Sequence, residues 1–230
     1  SRGLGDVYKR QPWEFLENEW IKFALIFALF FAIVFFAVQK SMKEKRIGIL
    51  GGAFNPPHLA HLKMAQKAMK LLKLDKVIFI PCGLPALPKK DLACAKDRLE
   101  MVKLLVKPYP KFLVSDYEIK KAKKGKKSYT IDTIKYLKRK YKNVKLFWII
   151  GEDSFYDIIR GKWKESSKLF DLATFVVFKR KNSKKLPKKY QKKAKELLKK
   201  VIYIKDFHLP ISSTEIRKRI KQGKSIKNLV

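Results

Sequence analysis

From Arg46 to the C-terminus, short β-branched runs alternate with stretches whose apolar residues recur at helical spacing. The candidate strands are Ile47–Gly51, Lys76–Ile80, Phe112–Tyr117, Leu146–Ile150, Thr174–Phe178 and Val201–Ile204. Between them, helical spacing covers His58–Leu72, Ala95–Val106, Tyr129–Tyr141, Trp163–Leu172 and Pro187–Lys200. Strand–helix alternation of this kind builds βαβ units around a mostly parallel sheet. The expected fold is therefore α/β, Rossmann-like and doubly wound, with helices on both faces. In such sheets ligands bind at the carboxyl ends of the strands, near the point where strand order reverses. The residues that follow each strand are the ones to inspect for chemistry.

The alternation leaves the first 45 residues unexplained. Ser1 to Gln11 shows no periodicity. It resembles the in-frame translation of a transposon-end sequencing adapter and is set aside from fold reasoning. Phe23 to Val38 is 16 uninterrupted apolar residues. With Trp20, Ile21 and the stem of Lys22 the run reaches roughly 19 residues, enough to cross a bilayer core of about 30 Å. Residues 20–38 are thus a candidate membrane-spanning helix within a segment 12–45. Lys40, Lys43, Lys45 and Arg46 follow it, and the positive-inside rule then places the remaining domain in the cytoplasm. A competing reading starts the natural enzyme at Met42, with the upstream residues translated in frame.

Charge and cysteine content narrow the function classes. The net charge is +35, carried by 46 Lys and 9 Arg. Nucleic-acid readers lean on Arg for bidentate contacts, so this Lys excess fits a compositional bias, and no specific nucleic-acid partner is expected. It does attract anionic small substrates. Lys120–Lys127 and Lys179–Lys189 read as solvated loops. Two cysteines, Cys82 and Cys94, make no disulfide framework, which fits a reducing compartment.

Chemistry concentrates at two places. The first strand runs into Gly51-Gly52-Ala53-Phe54-Asn55-Pro56-Pro57-His58-Leu59-Ala60-His61. Two glycines after a strand let the backbone approach a ligand, and prolines are accepted in a helix's first turn. His58 and His61 then share one face of that turn, where free N–H groups and the helix dipole attract phosphate. Zinc is a poor alternative, because the chain holds only one further His and two distant Cys. No resident metal is expected. Near the other end, Ser212 and Glu215 of Ile211-Ser212-Ser213-Thr214-Glu215-Ile216-Arg217 have capping-box spacing, so a helix starts there. Its cap hydroxyls and N–H groups, with Arg217 in the first turn, suit a pyrophosphate.

Taken together the two motifs resemble the nucleotidyltransferase superfamily that carries an HxGH motif after its first strand and an ISSTxxR motif late in the chain. Within it, residues 46–230 are most similar to the bacterial nicotinate-nucleotide adenylyltransferases. Arg98-Leu-Glu-Met101, Ser128-Tyr129-Thr130, Ile149-Ile-Gly-Glu-Asp153, Lys162-Trp163 and Lys179-Arg180 support the likeness by order and spacing. The resemblance implies adenylyl transfer from Mg-ATP to nicotinate mononucleotide, with Mg2+ arriving on the ATP, and products deamido-NAD and pyrophosphate. It implies that Gly51, Gly52, Ala53 and Phe54 line the dinucleotide site. His58 and His61 would bind ATP phosphates, His61 at the α-phosphoryl group. Ser212, Ser213, Thr214 and Arg217 would hold the pyrophosphate end, and Gly151 and Asp153 the adenosine ribose. Trp163 would stack on the nicotinate ring, and amides near Thr130 and Lys164 would receive its carboxylate.

Several positions depart from the family pattern. Ala53 stands for Thr or Ser, Asn55 for Asp, Ala60 for the Gly of HxGH, and Lys164 for a Tyr. The loop Leu84–Lys90 lacks the family's His, leaving Lys89 or Lys90 to supply charge. The family also continues past Val230 into a terminal helix, so a missing C-terminal helix is expected. The alternative functions are adenylyl transfer to nicotinamide mononucleotide or phosphopantetheine, and, in another class, a membrane-anchored polybasic protein binding lipid or nucleic acid.

Overall fold

The computed structural model describes residues 19–42, 44–89, 91–179, 186–207 and 209–230. Two units follow from chain contacts, residues 1–43 and 44–230. In the first, helix α1 (Glu19–Met42) is apolar on all sides. An 18-residue window within it has a mean hydropathy of 2.2 and is not buried. By length and composition alone it could cross a membrane, its 24 residues spanning about 36 Å.

The second unit is built on a six-stranded sheet: β1 (Lys45–Gly52), β2 (Lys76–Pro81), β3 (Phe112–Val114), β4 (Val144–Gly151), β5 (Thr174–Phe178) and β6 (Val201–Ile204). The order is β3-β2-β1-β4-β5-β6 and every pairing is parallel. Chain direction across the sheet reverses between β1 and β4. Their registers bring Gly48, Ile49 and Leu50 beside Phe147, Trp148 and Ile149. The doubly wound expectation is met, with its crevice at the carboxyl ends of β1 and β4.

Side-chain alternation along the strands makes two cores. Ile47, Ile49, Leu146, Trp148 and Ile150 face one way. There they meet α5 (Thr130–Lys140), α6 (Glu152–Ile159) and α7 (Leu169–Leu172) through Ile131, Ile134, Phe155, Ile158 and Leu169. Leu50, Phe79, Phe147, Val176 and Phe178 belong to the other core, with α2 (Leu59–Leu72) and α3 (Ala95–Val106) contributing Leu62, Ala65, Ala68, Val102 and Val106. Strands covered on both faces are why the sequence shows unbroken apolar runs rather than alternation.

Several expectations need correction. Strand β3 ends at Val114, and Tyr117 opens a short helix, α4 (Tyr117–Ala122). Tyr117 leaves the sheet edge because its ring stacks on Tyr136 of α5, centroid to centroid 3.8 Å. The Lys-rich stretch 120–127 is accordingly not all loop: Lys121 sits in α4 and pairs with Asp132 at 2.9 Å. Of Trp163–Leu172 only α7 is helical, since Glu165 adopts a left-handed φ of 50° that interrupts it. Helix α6 was absent from the sequence reading, although Phe155, Ile158 and Ile159 have the spacing of a buried helical face. The segment 187–200 divides into a 3-10 turn (Lys188–Tyr190) and α8 (Gln191–Leu198). Residues 1–18, Lys43, Lys90, residues 180–185 and His208 lie outside the described residues.

Candidate active site

A cleft of about 410 Å³ opens at the carboxyl ends of the central strands. Its floor is Gly51, Gly52, Trp148 and Gly151. Its walls include Ala53, Phe54, His61, Thr130, Asp153, Trp163, Lys164 and Ser213. The expected site residues from five separate chain segments thus converge. A Cβ on Gly51 would lie 3.0 Å from the Trp148 ring, so a side chain there would have to displace that buried indole. Gly52 has room for one, with the Phe54 ring 3.5 Å away, so only the first glycine is demanded by close approach.

Local geometry around the two histidines gives each a different position. His58 is the N-cap of α2, in extended backbone, and is 2% exposed. It does not line the cleft. Its backbone N–H donates to His61 Nδ1 at 3.2 Å, and the His61 N–H donates to the His58 carbonyl at 2.9 Å. The two rings stack at 3.8 Å, and the buried Phe54 ring meets His61 edge-on at 5.0 Å. An Nδ1 that accepts a hydrogen bond assigns the proton of a neutral imidazole to Nε2. His61, on the cleft wall, is thereby a hydrogen-bond donor held by its neighbours.

The second motif joins the first. Helix α9 (Ser213–Lys221) is capped by Ser212, whose side chain accepts from the Glu215 N–H at 3.2 Å. Ser212 is therefore occupied as a cap. Ser213 Oγ donates to the Pro56 carbonyl at 2.8 Å, and Arg217 Nη1 donates to the Asn55 carbonyl at 2.8 Å. Ile216 is fully buried and anchors the helix. A second concavity, lined by Ala53, Asn55, Lys89, Asp91, Ser213, Thr214 and Arg217, adjoins the first through Ala53, Lys89 and Ser213. Asn55 does structural work of its own: Nδ2 donates to the Asp91 carbonyl at 2.7 Å, and Oδ1 accepts from the Ala93 N–H at 3.0 Å. The Leu229 carbonyl accepts from the Leu59 N–H at 2.9 Å, so the last residues brace the start of α2.

At the far end, Tyr129 caps α5 and Thr130 is its first residue. Lys164 Nζ lies 4.8 Å from the Tyr129 ring centroid, a cation–π contact, and Trp163 stands beside it. Asp153 is in the first turn of α6, directly after Gly151. No cluster of three or more His, Cys, Asp or Glu able to hold a metal occurs among the described residues.

Sequence reasoning assigned no structural role to two buried charged residues, Arg98 and Glu118. Arg98 is 1% exposed and donates to three carbonyls: Ala93 from Nε at 2.9 Å, Ala53 from Nη1 at 2.7 Å and Gly83 from Nη2 at 3.3 Å. It fixes the loop after β1 to the loop after β2. Glu118, in α4, lies against the cleft, and burial pushes its carboxyl up from the ordinary range. Burial also pushes up the nearby Cys82 thiol, making it less reactive. Only the flanking helical pattern could have hinted at either ion, because a charged residue in sequence reads as surface.

Comparison with known proteins agrees with this geometry. The cytidylyltransferase-like family model matches residues 49–219. A Clostridium tetani protein named "probable nicotinate-nucleotide adenylyltransferase" is 44% identical over 194 residues, covering 82% of this chain and 92% of its own length. A Clostridium acetobutylicum protein of the same name is 40% identical over 192 residues, with 82% and 92% covered. The fold is shared with the Plasmodium falciparum nicotinic acid mononucleotide adenylyltransferase complexed with NaAD, at a TM-score of 0.60 and 23% identity over 80% of this chain and 88% of that one. With the two motifs joined at one cleft and relatives matched over nine-tenths of their length, the chain belongs to the cytidylyltransferase-like family and, within it, to the nicotinate-nucleotide adenylyltransferases.

Proposed function

We propose that the protein transfers the adenylyl group of Mg-ATP to the 5′-phosphate of nicotinate mononucleotide, a step of NAD biosynthesis. A phosphate oxygen of the acceptor attacks the α-phosphorus, the bond to the β-phosphate bridging oxygen breaks, and pyrophosphate leaves with that electron pair. Deamido-NAD is the other product. Such chemistry asks for positioning and charge stabilisation rather than a covalent nucleophile. The single observation that carries the reading is the donor His61, fixed on the cleft wall by the His58 N–H, facing the space that α9 closes from the other side.

Each group takes a role from its place. His61 Nε2–H donates to a non-bridging α-phosphoryl oxygen as charge grows there. His58 holds His61 and the α2 N-terminus rather than touching the reacting atoms. Ser213, Thr214 and Arg217 receive the leaving pyrophosphate, beside the N–H groups at the start of α9. Mg2+ bound to the ATP phosphates neutralises charge on the transferring and leaving groups. Gly51, Gly52, Ala53 and Phe54 border the dinucleotide with main chain, and Gly151 and Asp153 meet the adenosine ribose. Trp163 stacks on the pyridine ring, while main-chain N–H groups at Thr130 and Lys164 receive the carboxylate. The test follows pyrophosphate and dinucleotide formation by the purified full chain with Mg-ATP. Nicotinate mononucleotide, nicotinamide mononucleotide and phosphopantetheine are offered in parallel. Turnover with the first is expected; turnover only with another acceptor sinks the assignment. The reaction belongs in the cytoplasm, and we place α1 in the adjoining membrane on its hydropathy of 2.2. Recovery of the full chain from cells entirely in the soluble fraction would refute that placement.

A further inference from the structure

Glu118 is a carboxylate placed where a soluble protein rarely tolerates one. It is 6% exposed, lines the cleft and belongs to a helix of only six residues. Burying an acid is costly unless hydrogen bonds compensate, so its partners are informative. Its Oε1 accepts from Thr133 Oγ1 of α5 at 2.7 Å. Nearby, Ser128 Oγ accepts from the Gly83 N–H at 3.1 Å. The Ser128 N–H donates to the Leu84 carbonyl at 2.8 Å, and Pro85 and Ser128 form an isolated parallel bridge. A Cβ on Gly83 would fall 2.2 Å from the Glu118 carbonyl oxygen, so the loop after β2 lies directly on the α4 backbone. The Glu118 carboxylate therefore fastens α4, on whose backbone the loop after β2 lies, to the start of α5.

Those are the segments that border the acceptor end of the cleft. Ser128 to Thr130, Pro85, Ala86 and Leu87 all line it, as do Trp163 and Lys164. This loop is also where the chain departs from its family by lacking a His. We propose that Glu118 is the positioning residue of the acceptor end: its carboxylate fastens α4, which backs residues 83–85, to α5, which opens from residues 128–130, so the wall that takes the pyridine mononucleotide is formed before substrate arrives. The inference rests on the functional reading above for the identity of that acceptor. Glu118 acts through Thr133 and does not touch the reacting atoms.

The experiment uses the full chain as wild type, E118A, E118Q and T133V. Steady-state constants are measured for each substrate with the other saturating. Amide hydrogen exchange is measured at residues 83–85 and 128–130, with 212–217 as the internal reference. Loss of this buried hydrogen bond predicts that E118A raises KM for nicotinate mononucleotide about tenfold or more. KM for ATP is expected to stay within about twofold and kcat within about threefold, because the ATP end is untouched. E118Q, whose amide oxygen still accepts from one hydroxyl, recovers most of that loss. Exchange at Gly83 and Ser128 accelerates about tenfold in E118A, with 212–217 unchanged. An unchanged acceptor KM, equal rises in both KM values, or unchanged exchange at Gly83 and Ser128 would overturn the proposal. Should E118A fail to fold, T133V must show the same directions at smaller size, and its failure to do so refutes the idea equally. If the wild type turns over no pyridine mononucleotide, the functional reading falls, and the exchange measurement alone decides whether Glu118 positions this wall.

Discussion

Arg217 and Asn55 are 162 positions apart in the chain and joined by a hydrogen bond of 2.8 Å, from Arg217 Nη1 to the Asn55 carbonyl. With the Ser213–Pro56 bond at 2.8 Å, it fastens the late helix to the loop after the first strand. Two motifs that are individually common become one site because a guanidinium presents several donors in a fixed plane. One can hold the loop while others face the second concavity.

Replacing Arg217 by Met should therefore lower kcat/KM on the order of 100-fold or more, as loss of a charge-stabilising donor typically does. Arg217→Lys restores only part of it, since an ammonium cannot span loop and phosphate at once. Pyrophosphate release measured on variants with wild-type circular dichroism is the check. Activity of R217M within a few-fold of wild type would remove Arg217 from the chemistry.

His61→Ala should reduce kcat on the order of 100-fold, the usual effect of deleting a transition-state donor. The fold should persist, because the ring lies on the cleft wall rather than within either core. Single-turnover rates with saturating substrates test this, and a variant that loses only ATP affinity would contradict the assigned role.

Arg98→Met should leave the carbonyls of Ala53, Gly83 and Ala93 short of a donor. The expected destabilisation is about 3 kcal/mol, typical of unsatisfied buried groups facing a lost charged partner. Urea unfolding should show a lower midpoint with an unchanged slope. An unaltered midpoint would mean the two loops hold without it.

Stability at high pH should fall through the tyrosines that flank Glu152. Burial, reinforced by hydrogen bonding to the Glu152 carboxylate, pushes Tyr156 up from 10.0 to about 12, and Tyr203 up further in the same way. Both hydroxyls donate to Glu152, Tyr156 at 3.0 Å. A pKa raised by folding means the unfolded chain loses its proton first. The contribution is thus intact below pH 10.0 and is lost as pH rises towards 12 and beyond. Denaturation midpoints measured across that window should decline, and the Tyr156→Phe, Tyr203→Phe double variant should decline less. Equal slopes in the two proteins would exclude these groups as the cause.

The strand–helix alternation, the crevice and the two motifs were legible because each depends on local chemistry. β5 and β6 coincide with their expected spans, as runs of β-branched and aromatic residues have few other uses. Ser212 announced α9 through capping alone. Helix α6 escaped because its eight residues are too few for periodicity to stand out beside the Gly151–Asp153 stretch. Helix α4 looked like part of a lysine loop, since its buried residues are only Glu118 and Ile119.

Composition, apolar periodicity and short motifs determined the α/β class, the switch-point cleft and most residues on its wall, because hydrophobic burial and capping act over a few neighbours. Tertiary structure alone decided what His58, Arg98 and Glu118 do. A buried polar group is defined by partners distant in the chain: Arg98 reaches Ala53 across 45 positions, and Glu118 reaches Thr133 across 15. Desolvating such a group is tolerable only where those partners meet it, and no local pattern records that meeting.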